Sequence, residues 1–145
     1  MKANEVIERY GLMPHPEGGF YRELHRSNVT IAREALPSGY PGHRAMCTSI
    51  LFLLRTGERS AWHRVRSEEL WLHQSGDPLR LGMGETTETT RDVTLAWRGA
   101  LQAVVPPGWW QEAEALPGDS GYALVGCVVA PGFDFEDFEM LERSH

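Results

Sequence analysis

The stretch Gly57–Gly76, GERSAWHRVRSEELWLHQSG, decides the fold. It holds two short runs, Ser60–Val65 and Glu69–Gln74, separated by the polar break Arg66–Glu68. Runs of this length around a polar interruption read as two β-strands joined by a turn. In an extended chain alternate side chains share a face. His63 and Val65 therefore point one way on the first strand, and Glu69, Trp71 and His73 do so on the second. If the two strands pair as a hairpin, one face presents His63, Glu69, Trp71 and His73 together. That is a polar patch floored by an aromatic ring, as expected of a small-molecule site inside a barrel. The alternative for the two histidines is a core or rim position with their hydrogen bonds satisfied.

Outward from this stretch the chain reads as more short strands. Cys47–Leu54, CTSILFLL, is an almost unbroken apolar run of strand length, which suits a strand covered on both faces. Phe20–Leu24, Leu79–Met83, Thr89–Leu95, Ala103–Val105 and Tyr122–Val129 are further strand candidates. Asn4 can cap a short N-terminal helix with Val6, Ile7 and Tyr10 on one face and Gly11 as its stop. Residues 28–44, rich in Pro, Gly and small polar residues, read as a loop. Fifteen glycines and nine prolines spread along 145 residues favour an all-β sandwich or small barrel, read here as a single domain over 1–145.

Composition narrows the function. A net charge of −6 argues against general nucleic-acid binding, which needs a clustered positive surface. Lys2 is the only lysine, so Schiff-base chemistry is disfavoured, whereas thirteen arginines leave an anionic small molecule open as a ligand. Cys47 and Cys127 lie in apolar runs without metal-type spacing and read as buried free thiols of a reducing compartment. No apolar run approaches the ~20 residues of a membrane span, and the N-terminus lacks a signal core; no membrane partner and a cytoplasmic location are expected.

The chain resembles a cupin, and more narrowly the uncharacterised small cupins labelled predicted sugar epimerases. The matching residues include His15-Pro16-Glu17-Gly18-Gly19-Phe20-Tyr21-Arg22-Glu23, Thr48-Ser49-Ile50, His63-Arg64, Ser67-Glu68-Glu69, Trp71 and His73. Gly76-Asp77-Pro78-Leu79, Val105-Pro106-Pro107-Gly108-Trp109 and Gly132–Glu139 complete the set, which covers most of the chain. The resemblance implies a jelly-roll barrel (double-stranded β-helix), a homodimer, and a pocket between the sheets. It also shows two departures. Val65 stands where the first cupin motif has a second metal histidine, and Gln111 stands where the second motif has its last one. An amide oxygen is a weak ligand for the metals imidazole sites prefer. No metal or other cofactor is therefore expected, a divalent ion at His63 and Glu69 being the alternative.

What the resemblance implies for chemistry is a metal-independent isomerase or epimerase acting on a carbohydrate-like carbonyl compound. His63 is the candidate base, Glu69 its partner, and Tyr21 the candidate acid, with Tyr122 as a second tyrosine. Trp71, His73, Gln111, Arg22 and Trp109 are candidate substrate contacts. Arg22 and Arg64 are equally readable as a solvated strand face, and Glu17-Gly18-Gly19 reads first as a tight turn, with a ligand loop as the alternative. The acid–phenylalanine alternation of GFDFEDFEML is expected to lay an apolar edge on the sandwich or on a partner subunit. The competing functions are a non-enzymatic module that binds or senses a small metabolite, and a metal-dependent cupin enzyme.

Overall fold

The unbroken apolar run explains the architecture. In the computed structural model, which describes residues 1–141, it becomes a strand buried on both sides. Phe52 and Leu54 point into the space between two sheets, while Leu51 and Leu53 pack with Val6 and Leu12 under the N-terminal helix. The helix α1 (Ala3–Tyr10) starts one residue before Asn4 and stops at Gly11, whose φ of 65° is the left-handed conformation glycine tolerates.

The strands follow as β1 (Met13–Pro14), β2 (Phe20–Arg26), β3 (Thr30–Ile31), β4 (Arg44–Ala45), β5 (Thr48–Arg55), β6 (Arg59–Arg64) and β7 (Glu68–Gly76). Then come β8 (Leu79–Gly84), β9 (Arg91–Leu95), β10 (Gln102–Val105), β11 (Trp110–Ala115), β12 (Tyr122–Ala130) and β13 (Glu139–Met140). One sheet runs β1-β2-β5-β12-β7-β10 and the other β13-β6-β11-β8-β9, with β3-β4 as a separate small ribbon. Every named strand pair is antiparallel. The two sheets face each other over Phe52, Trp71, Leu79, Leu81, Met83, Leu95 and Val125, the jelly-roll arrangement that buries one face of each.

Three elements differ from the sequence reading. The strands β6 and β7 do not form a hairpin: β6 lies between β13 and β11, and β7 between β12 and β10, so the chain changes sheet at Val65–Ser67. His63 and Glu69 thus come from opposite sheets and face the same interior. Strand β11, WQEAEA, carries two glutamates and little β-branched character, which hides it from pattern reading. It forms because Glu112 is covered by Arg80 at 2.6 Å, and because Ala113 and Ala115 are buried between the sheets. Residues 28–44 contain β3, a 3-10 turn at Arg33–Ala35 and the start of β4, rather than loop alone.

The turn Glu17-Gly18-Gly19 sets where β2 begins. Gly18 and Gly19 have φ of 106° and 76°, and a Cβ on them would lie 2.6 Å from Arg59 O and 2.7 Å from Leu53 O. Both the conformation and the closeness of backbone demand glycine. Gly18→Ala and Gly19→Ala are each expected to cost about 1–3 kcal/mol, read as a lowered urea midpoint. An unshifted midpoint would show that the turn has freedom this packing denies it.

Candidate functional site

Two backbone bonds at one residue build the site. Ala61 N–H donates to Glu17 O at 2.7 Å, tying the Gly-Gly turn to β6. Ala61 O lies 2.7 Å from His63 Nδ1, and a carbonyl only accepts, so Nδ1 carries a proton. The other ring nitrogen, Nε2, faces Glu17 Oε2 at 2.9 Å with both side chains buried. A neutral imidazole protonated at Nδ1 would turn a lone pair on that carboxylate. One further proton must therefore sit between them. Burial alone would strip it from His63, but the charge and hydrogen bond of Glu17, then Glu69 and the Ala61 carbonyl, raise the imidazole to about 9.

Glu69 reaches the same place from β7. Burial raises its carboxyl, the His63 charge lowers it, the Glu17 charge raises it, and hydrogen bonds from Gln111 and Cys127 lower it; the balance stands at about 7. Gln111, paired with His63 across β11 and β6 and fully buried, is fixed at both ends. Trp71 Nε1–H donates to its Oε1 at 2.8 Å, which leaves its Nε2 to donate to Glu69 Oε1 at 3.0 Å. The Cys127 thiol is raised well above its ordinary value, first by burial and then by Glu69 and Glu17, and is not a nucleophile here.

Glu17, His63 and Glu69 lie against a cavity of about 390 Å³, within the ~300–1,000 Å³ of small-molecule sites. Tyr21, Ile50, Val65, Val129, Phe133, Phe135 and Phe138 line its walls. Phe138 stacks on His63 with ring centroids 5.6 Å apart. The phenylalanine-rich segment is held down by Asp137, which takes Arg44 Nε at 2.8 Å and Arg44 Nη2 at 2.9 Å, and by β13 pairing with β6. It lies over the chain's own sandwich, and residues 28–44 do not line the cavity.

Of the residues expected at the site, His63, Glu69 and Tyr21 line this cavity. Trp71 and Gln111 stand behind it, acting through Glu69. His73 does not reach it: it follows Trp71 along β7, beyond the buried indole, and its Nε2 lies 3.0 Å from Asp77 O beside a separate depression with Trp97 and Leu101. Arg22 alternates outward from Tyr21 and donates to Tyr10 O at 3.1 Å. Trp109 is half-buried at the edge of the core, with Arg91 over its ring. Tyr122 is buried with the α1 cluster.

Sequence reasoning missed Glu17 and His15 as site residues. Glu17 N–H donates to His15 Nδ1 at 3.1 Å, which leaves the neutral ring's proton on Nε2. Burial lowers the basicity of His15; Glu17 raises it and the His63 charge lowers it again, so the ring stays below its usual range. The only signal was their place beside Tyr21 in HPEGGFYRE, and the approach to His63 depends on the Gly-Gly turn.

The donor set does not fit a metal ion. Val65 offers no ligand, His63 has both nitrogens engaged, and Gln111 presents its amide nitrogen to Glu69. Among the described residues no group of three or more His, Cys, Asp or Glu side chains is placed to hold one. Nor, among them, is any helix long and apolar enough to cross a membrane.

A family model of the cupin superfamily (DUF985) matches residues 4–141, and the chain belongs to that cupin family. It is 28% identical over 150 residues to the uncharacterized protein YML079W of Saccharomyces cerevisiae, covering 95% of this chain and 74% of the yeast one. A hypothetical protein from Leishmania major shares 33% identity and a TM-score of 0.85, over 97% of this chain and 88% of that one. Protein SO0799 from Shewanella oneidensis shares 35% identity and a TM-score of 0.82, over 97% and 85%.

Glu69 and His63 both hold protons more firmly in the folded chain than the ordinary values of 4.5 and 6.5. The native state then binds more protons than the unfolded one, and stability falls as pH rises. The Glu69 part is present below about 4.5 and lost through about 7; the His63 part is present below about 6.5 and lost through about 9. Urea midpoints measured from pH 5 to 9 should decline, less steeply below 6.5 where the lowered His15 acts in the opposite sense, and Glu69→Gln should flatten the lower part and move the His63 part to lower pH. A lower part as steep in Glu69→Gln as in the parent would place that proton elsewhere.

Proposed function

We propose that the chain is a metal-independent isomerase or epimerase that moves a proton beside the carbonyl of a small carbohydrate-like compound. The observation that carries this reading is the buried Glu17–His63–Glu69 array facing a cavity. A carboxyl near 7 is partly ionised at neutral pH, so it can both take and return a proton. His63, with both nitrogens occupied and a proton shared with Glu17, is poorly suited to be the free base that the sequence suggests. The base in this reading is Glu69.

The Glu69 carboxylate takes the proton from the carbon beside the carbonyl, and the C–H electron pair becomes the enolate. As charge develops on the enolate oxygen, His63 Nε2–H turns its hydrogen bond from Glu17 to that oxygen and stabilises it. Tyr21 enters from β2, with β5 and β12 between its strand and β7, and supplies a proton to the other face of the carbon. That inverts the centre and leaves a phenolate and a protonated Glu69, which re-equilibrate through solvent.

Binding without turnover is the second reading, favoured by the phenylalanine-rich segment that Asp137 pins against the cavity. Solvent deuterium uptake by a panel of keto-sugars separates the two. Glu69→Gln should slow uptake by about 100-fold or more. Tyr21→Phe should keep uptake but lose inversion, and dialysis against a chelator should change neither rate. No uptake by the native protein on any sugar of the panel would sink the isomerase reading.

A further inference from the structure

The charge and surface of the cavity say which carbonyl compounds fit it, an inference that rests on the isomerase reading for the reacting group but not for the binding preference. Four carboxyls line the cavity, Glu17, Glu23, Glu69 and Asp134, against two cationic groups, His63 and Arg26. Both cations are already paired. His63 is paired with Glu17 at 2.9 Å. Arg26 Nη2 donates to Glu23 Oε1 at 2.7 Å and to Phe133 O at 3.1 Å, and its Nε lies 3.3 Å from Glu23 Oε2. Arg44, close by, spends its guanidinium on Asp137 and on His43 O. A phosphate or carboxylate entering this space would meet four carboxyls and have to compete with Glu17 and Glu23 for its cations.

The polarity is also divided. Glu17, His63 and Glu69 offer hydrogen bonds from one wall, whereas Phe133, Phe135 and Phe138, the last stacked on His63, set ring surface against it. A hydroxyl pressed onto those rings would lose its water partners without replacement. We propose that the cavity takes a small uncharged hydroxy-carbonyl compound with an apolar end, a deoxy sugar rather than a sugar phosphate, sugar acid or nucleotide-linked sugar. The carbonyl and its neighbouring hydroxyl face the carboxyl–imidazole array, and the deoxy carbon lies under the phenylalanines.

Calorimetric titration of the native protein with four probes tests this: L-rhamnulose, L-rhamnulose 1-phosphate, L-fructose and L-fructose 1-phosphate. Rhamnulose, with its methyl end, should bind about tenfold tighter than fructose, the size of effect one apolar group has in a matched pocket. Each phosphate should bind about tenfold or more weakly than its parent. Glu23→Gln, at the exposed rim, releases Arg26 and should shrink the phosphate penalty severalfold. A phosphate that binds as tightly as its parent, a penalty unchanged in Glu23→Gln, or no binding by any probe would overturn the proposal. Deuterium uptake keeps the two readings apart. Selective binding of rhamnulose without exchange supports the ligand class and counts against the isomerase; exchange on a phosphate with preferred binding does the reverse.

Discussion

Ala61 is the joint on which the site turns. Its N–H holds the Glu17 backbone and its carbonyl holds His63 Nδ1, so one peptide neighbourhood aligns an acid and a base 46 positions apart. The side chain of Ala61 takes no part, and any residue compatible with β6 could supply those two groups. The demanding positions are elsewhere, at Gly18 and Gly19, where backbone crosses backbone without room for a Cβ. The electrostatics of the cavity thus rest on main-chain geometry, and the charged side chains are placed by it.

The sheet change between β6 and β7 has a comparable effect. Had the two strands paired, His63 and Glu69 would sit side by side on one surface, open to water. Because they belong to opposing sheets, they face the same interior and feel each other's charge there, and burial then governs their protons. Gln111 extends this design. A histidine in its place would offer one donor or one acceptor toward the cavity, according to tautomer. The amide accepts from Trp71 and donates to Glu69 at once.

Much of the fold was legible because burial writes itself into side-chain pattern. The run at Cys47–Leu54 announced a strand covered twice, and β2, β8 and β12 fell close to their expected limits. Strand β11 was illegible because its burial is polar: Glu112 needs Arg80, and Gln111 needs Trp71 and Glu69, partners that local pattern does not show. The site was half legible. His63, Glu69 and Tyr21 could be named from spacing and family resemblance. The alternation rule put His73 with them, since it says which face a residue takes but not how far along the barrel it lies. Glu17 was seen as turn material, and it is that, but the turn is what delivers its carboxylate.

The protonation of Glu69 has a consequence for anything that enters the cavity. A buried carboxyl balanced near 7 is held there by neighbours that a ligand would touch or displace. Adding a neutral hydroxyl removes water and adds a donor; moving Phe138 off His63 alters the field from the other side. Either event shifts the carboxyl off its midpoint, so occupancy of the cavity and uptake or release of a proton are a single equilibrium. Heats of binding in this protein should consequently depend on the ionisation enthalpy of the buffer, and the medium becomes a reactant in an association that looks, from the ligand's formula, to involve no charge at all.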